Sequence, residues 1–374
     1  MDIVVQGEGE ETFFELVKAL GNRGPLAKVK GIWYKEGGDI RQNPPRPFID
    51  LNQQPPLSYH LIDVEKHMGS MSGRDAPLFE TSRGCPFDCS FCYSTCFHQR
   101  QWRALTPEQT LLRIKRARDE YGVRRMAFSD DNFFTSPDRA YQILAGMVQQ
   151  RLNIVWGKGD IRLDLLSRLD DDFLHLIERS GCSALAIGVE SGSQRIADLL
   201  RKGIDVSQAV SVSRRLAGYQ MQQRYFFMIG IPGETETDLA ETASLMLRLV
   251  DENQKAAGGV HIFIPYPGTE LFDLSVQYGL PVPQKLEEWI PFSWSNRKLD
   301  YPWLPPERKR LVQMLSFCSY FMSNRTSIIY PHESPFVSFI AKLYHPIARK
   351  RVQGLHYGFL PELKVAELLG FRGY

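Results

Sequence analysis

Cys85, Cys89 and Cys92 stand in a C-x3-C-x2-C spacing, with Phe91 directly before the third thiol. Three thiolates on one short loop can each hold an iron of a cubane cluster, which leaves the fourth iron without a protein ligand and open to another molecule. Cys96 follows in the same stretch, while Cys182 and Cys318 are isolated. That distribution is a metal site and not a disulfide framework, and it points to a reducing compartment. The thiols alone leave two other readings open: a structural zinc site with Cys96 as fourth ligand, or a ferredoxin-like electron carrier.

The elements that must carry this loop can be read around it. From about residue 77 to 280, short apolar or β-branched runs alternate with longer segments of helical period, the pattern of consecutive βα units on a parallel sheet. Six strands are expected, at Leu78 to Thr81, Arg125 to Ser129, Ile154 to Gly157, Ala184 to Val189, Arg224 to Ile229 and Val260 to Ile264. Thr106-Pro107-Glu108-Gln109 and Thr235 with Asp238 mark helix starts by reciprocal capping. Six units without a seventh and eighth imply an open barrel, wider at one side than the closed form. In such barrels reactive groups gather where strands end. The first strand is followed by the cysteine loop, the second by Asp130-Asp131-Asn132, the third by Lys158, Asp160 and Arg162. The fourth ends in Gly188-Val189-Glu190-Ser191-Gly192, the fifth in Gly230-Ile231-Pro232-Gly233-Glu234, the sixth in Pro265-Tyr266-Pro267-Gly268-Thr269.

The cysteine spacing, the aromatic at Phe91 and the order of these strand ends resemble the radical S-adenosylmethionine (radical SAM) enzymes, from about Leu78 to Thr269. The resemblance implies an α/β fold with a partial (β/α)6 TIM-like barrel, a 4Fe-4S cluster on Cys85, Cys89 and Cys92, and S-adenosyl-L-methionine on the open iron. It implies reductive cleavage of SAM to a 5'-deoxyadenosyl radical that abstracts hydrogen, fed by an external one-electron donor of flavodoxin or ferredoxin type. Cys96 is then a helix residue packed behind the loop. Glu190 and Ser191 are expected at the ribose hydroxyls or methionyl ammonium, and the backbone of Gly230, Ile231 and Gly233 at adenine. Asp130 and Asp131 fall where the family often has a Gly-Gly-Glu run, with a turn or capping role as the plainer reading. Arg162, with Lys158, could hold the SAM carboxylate or an anionic substrate, or form a salt bridge on the rim. Tyr93 and Tyr266 are read as packing aromatics, and His60, His67, His175 and His261 are assigned no metal.

Ile3-Val4-Val5 with the helical run to Leu20 looks like the last strand and helix of the cobalamin-binding domain that precedes the barrel in the methylase and cyclase branch. The D-x-H-x-x-G motif that supplies the axial histidine there does not occur in the chain. Cobalamin is thus a possible cofactor whose histidine motif is absent; a cobalamin-independent enzyme, one borrowing that domain from a separate chain, and a truncated paralogue are the alternatives. Three regions are expected: a remnant and linker at 1–76, the barrel at 77–285 and a helical extension at 286–374. In the extension, Lys342, Arg349, Lys350 and Arg351 form a basic cluster among aromatics, which reads as a helical cover or a surface for an anionic or lipid-like substrate.

A formal net charge of +2, with 43% hydrophobic and 24% charged residues, describes an ordinary folded chain with no global field for nucleic acid. No apolar run of membrane-spanning length occurs, and the N-terminus lacks the marks of a signal peptide, so a cytoplasmic location is expected.

Overall fold

The computed structural model describes residues 2–62, 78–292, 300–323 and 335–368. The readings for His67 and the end of the linker concern residues outside these ranges. By contacts the chain forms two units, Met1–Leu57 and Ser58–Tyr374. The first is a small antiparallel sheet of β1 (Ile3–Val5), β2 (Ile32–Glu36) and β3 (Asp39–Gln42), with one helix, Glu10–Gly21. β2 and β3 form a hairpin. Its loop is Gly37-Gly38, at φ of 61° and 93°, as a two-residue turn with left-handed positions demands. Leu16, Val29, Ile32 and Tyr34 make the core of this unit. β1 pairs with β2 alone, so its outer edge has no partner among the described residues. Phe13, Phe14, Val17 and Leu20 are exposed along the helix.

The second unit holds six parallel strands in the order β11-β10-β9-β8-β7-β4. They are β4 (Leu78–Phe79), β7 (Arg125–Phe128), β8 (Val155–Arg162), β9 (Cys182–Glu190), β10 (Gln222–Ile229) and β11 (Ala256–Ile262). Two short antiparallel strands, β5 (Ser82–Arg83) and β6 (Arg103–Ala104), bracket the cysteine loop. Every expected βα strand exists, in the expected order. Two differ most in extent: β8 runs on through Lys158, Asp160 and Arg162, and β11 begins earlier, at Ala256.

Both differences have one cause, the chemistry of the inner face. Along β10, Tyr225, Phe227 and Ile229 are fully buried and join the hydrophobic core, while Arg224, Phe226 and Met228 alternate onto the other face. Cross-strand register aligns Asp160, Ala186, Arg224 and Ala257 as one layer, and Arg162, Gly188, Phe226 and Gly259 as the next. A closed barrel fills such layers with branched side chains. Here alanine and glycine alternate with charged or aromatic residues, so the interior has room for a ligand, and the strands lose the apolar runs by which strands are recognised.

The outer helices start where their caps dictate. Thr106 accepts from the Gln109 N–H with Pro107 at the first turn, and Thr235 and Asp238 exchange the reciprocal bonds of a capping box. The extension is helical as expected: Pro306–Ser319 packs on β11, and Pro335–Gly354 packs on that helix and on Glu236–Glu252. Two members of its basic cluster are spent internally, Arg349 on Asp251 at 2.6 Å and Arg351 on Glu362 at 2.7 Å. Among the described residues no helix is long and apolar enough to cross a membrane.

The turn after β10 is fastened from two sides. Glu234, 1% exposed, accepts from the N–H of Gly230 at 2.6 Å and of Ile231 at 3.3 Å, and the indole of Trp303 donates to the Gly230 carbonyl at 2.9 Å. Burial pushes the Glu234 carboxyl up to about 8. A carboxyl raised above its ordinary value of 4.5 contributes stability that is complete below that pH and is lost as pH rises through about 8. Denaturant midpoints of the wild type should therefore fall across this interval, and those of Glu234→Gln should stay level. Glu234→Ala, which strands two buried N–H groups, should cost about 1–3 kcal/mol below the ordinary carboxyl range, a difference that narrows as the wild type weakens with rising pH. A second test concerns the entry to β9. Gly181 has φ of +95°, and a Cβ there would lie 2.3 Å from the Ile154 carbonyl oxygen. Gly181→Ala should cost upwards of about 2 kcal/mol in urea unfolding, whereas Gly122→Ala, left-handed but in open space, should cost about 1 kcal/mol.

Candidate functional site

The cysteine loop leaves β5 at Gly84 and returns at β6. Gly84 has φ of +80°, and a Cβ on it would meet the Gln101 carbonyl oxygen at 2.1 Å, so only glycine lets the two arms close. Cys89 is buried, Cys85 and Cys92 half-buried. The three act on one another: burial first, then Cys89, Asp131 and Cys85, push the Cys92 thiol up to about 11. Burial and then Cys89 and Asp131 likewise raise Cys85, against the Phe87 N–H and Arg162, which lower it. Such thiols ionise together when cations bind them, since a coordinating metal deprotonates its thiols outright. The donor set fits a cubane, whose irons spread three thiolates apart.

Cys96 stands outside the trio. It lies on the short helix Tyr93–Phe97, is exposed, and donates to the Gly268 carbonyl at 2.6 Å; burial and Asp273, not another cysteine, raise its thiol. The loop is tied to its surroundings by its own backbone as well. Ser90 donates from N to Leu200 O at 3.0 Å and from Oγ to Leu199 O at 2.9 Å, and its carbonyl accepts from Leu271 N at 3.0 Å.

Asp130 and Asp131, at the end of β7, face this loop as anchors. Asp130 Oδ1 accepts from Thr81 N, Thr81 Oγ1 and Ser82 Oγ at 3.1, 2.8 and 2.5 Å. Its Oδ2 is buried without a hydrogen-bond partner among the described residues, and burial pushes the carboxyl up to about 6. Asp131 Oδ2 accepts from Gly84 N at 2.9 Å and Ser94 Oγ at 3.0 Å, one on each side of the three thiols.

Arg162 and Glu190, at the ends of β8 and β9, meet a residue that the sequence reading passed over, Lys202. Lys202 Nζ lies 2.7 Å from Glu190 Oε1. Burial works against this ammonium, and Glu190 and Cys89 outweigh it, so its value is raised. Arg162 donates to Asp164 at 2.9 Å, to the Lys202 carbonyl, and to Cys89 Sγ at 3.4 Å. Glu190 is left-handed, with φ of +68°. Nothing in the spacing of Leu200-Arg201-Lys202-Gly203 marks the lysine; a sequence shows its charge but not its burial.

The other expected positions divide. Ser191 is fully buried and accepts from the Ser193 N–H at 3.1 Å, in a turn pressed on the helix Glu236–Glu252. Gly230 and Ile231 spend their N–H groups on Glu234, and Gly233 offers its carbonyl to Arg195 at 2.9 Å. Asp160 lies on the inner face, where burial pushes its carboxyl up to about 7. His261 is open to solvent yet hemmed by enough protein to be held below the ordinary imidazole value, as befits a group lining a concave interior. Tyr93 and Tyr266 pack edge to face beside Cys92, 6.4 Å apart.

Comparison with known proteins places this geometry. At 32% identity the chain matches an uncharacterized methyltransferase of Pyrococcus horikoshii, over 75% of its own length and 59% of the relative's. At 29% it matches the anaerobic magnesium-protoporphyrin IX monomethyl ester cyclase of a Synechocystis strain, over 55% of its length and 41% of the relative's. The chain thus spans roughly half the length of these relatives. Among solved structures, the cobalamin-dependent S-adenosylmethionine radical enzyme OxsB aligns with 98% of the chain and 59% of its own, at a TM-score of 0.68 and 17% identity. The methyltransferase TsrM of Kitasatospora setae aligns with 74% and 54%, at 0.62 and 15%. At these identities both show the fold alone. Residues 79–246 match the model of the Radical SAM superfamily, whose cofactors are a 4Fe-4S cluster and S-adenosylmethionine, and this stretch of the chain is a Radical SAM domain.

Proposed function

We propose that this chain is the catalytic barrel of a radical SAM enzyme that methylates or rearranges a small-molecule substrate at an unactivated carbon. The observation that carries the reading is that three of the four clustered thiols are buried or half-buried on one loop, while the fourth, Cys96, is exposed and tied to the Gly268 carbonyl. Three thiols for four irons leave one corner for SAM. When bound, the cluster supplies the electron that cleaves the sulfonium C–S bond. The chain's own residues then orient and shield.

In this reading Cys85, Cys89 and Cys92 hold the cluster, and Glu190 with the backbone around Ser191 faces SAM. Asp130 and Asp131 fix the loop, and Glu234 presets the Gly230-Ile231 turn against which adenine packs, with Gly233 closing it. The inner face built on Ala186, Gly188, Ala257 and Gly259 supports a substrate seated inside the barrel, with Asp160 and His261 as its polar contacts. The electron comes from an external donor of flavodoxin or ferredoxin type. Cobalamin, named for OxsB, would be held by residues outside this sequence or by a separate chain, because the histidine motif is not within it.

The test is anaerobic reconstitution of the chain, electron paramagnetic resonance with and without SAM, and assay of 5'-deoxyadenosine. Replacing Cys85, Cys89 or Cys92 by alanine should lower cluster content and 5'-deoxyadenosine by about tenfold or more. Cys96→Ala should keep both near wild type. A reconstituted chain whose spectrum ignores SAM and which forms no 5'-deoxyadenosine would be an electron carrier instead.

A further inference from the structure

Arg162 and Lys202 are buried, reach the cysteine loop from different elements, and are both committed to it. The Arg162 guanidinium lies over the Phe87 ring, 3.8 Å from its centroid, and Lys202 Nζ lies 6.0 Å from the centroid of Phe91. These two aromatics flank Cys89 in the chain. With Asp164 and the Lys202 carbonyl taking two guanidinium nitrogens, the third faces Cys89 Sγ at 3.4 Å. The fold makes space for this arrangement. A Cβ on Gly188 would come within 2.8 Å of Glu190 Oε1 and 2.9 Å of Lys202 Nζ, so the ion pair occupies the room a side chain would need. Left-handed Glu190 is held against its own backbone preference to make the pair.

The sulfur of a cluster ligand gains negative charge when the cluster is reduced. An N–H directed at that sulfur and positive charge beside it, in a site shielded from water, stabilise the reduced form. We propose that Arg162 and Lys202 are positioning residues that cradle the Cys89 sulfur with positive charge and so favour the one-electron-reduced state of a cluster held by Cys85, Cys89 and Cys92. This rests on the cluster-binding reading above. One electron enters from the external flavodoxin- or ferredoxin-type donor, which is oxidised by one electron; no bond is made or broken. Arg162 is then engaged with the protein and not with the carboxylate of SAM.

The experiment is a redox titration followed by electron paramagnetic resonance on the reconstituted full chain without SAM, in samples matched for iron and sulfide. Arg162→Gln and Lys202→Met should each lower the midpoint, so that at fixed potential the reduced-to-oxidised ratio falls about tenfold, ~59 mV for a one-electron couple. Lys202→Arg, which keeps the charge, should stay near wild type. Glu190→Gln, which removes the anion beside Lys202, should move the midpoint the other way. That reversal of sign separates a charge effect from damage to the loop and does not depend on the Arg162 variant folding. Unchanged midpoints in cluster-replete Arg162→Gln and Lys202→Met, or a downward shift in Glu190→Gln, would overturn the cradle while leaving cluster binding intact. A wild-type chain that takes up no iron would remove both.

Discussion

Three thiols confined to one half-buried loop repel each other as soon as they ionise, and the surrounding structure is arranged around that constraint. Burial and neighbouring thiols raise Cys92 together. The loop's ends are joined by the short β5–β6 pairing and by Leu105 N donating to Thr81 O at 2.9 Å. The loop is held from outside by Asp131 on both sides of the thiols, by Leu199 and Leu200 through Ser90, and by Arg162 at Cys89. Each tether comes from the end of a different barrel element. The barrel is thus less a container for the site than the frame that keeps the three thiols in register through their ionisation.

The same frame explains which parts of the site were legible. The six βα units follow from periodicity, since the outer face of the sheet is apolar, and the starts of two helices from the caps at Thr106 and at Thr235 with Asp238. The inner face obeys other demands. β8 was cut short in the reading because Lys158 and Asp160 break its apolar run, and β11 was begun late because Ala256 to Gly259 carry no strand signature. Both segments line the interior, where small or charged residues replace packing.

Among site residues, cysteine spacing was legible because metal ligation on a single loop is a local property. The partners of Arg162 and Glu190 were not, because Lys202 meets them only through tertiary folding. Asp130 and Asp131 show the intermediate case. Their place at a strand end was evident, while their acceptors' use as anchors for Thr81, Ser82, Gly84 and Ser94 required the fold. The turn role weighed for them from sequence is the nearer description of what their oxygens do.

The sheet begins at β11 and ends at β4, and among the described residues these two strands do not pair. Across the interval near the thiols the two ends are joined by loop and side-chain contacts, among them Leu271 N to Ser90 O, Cys96 Sγ to Gly268 O and the Tyr93–Tyr266 ring pair. Everywhere else around the ring a rung-by-rung ladder would have to be broken to part neighbouring walls. At this seam side chains and loop backbone take the place of the ladder, so parting it would break no strand pairing among the described residues.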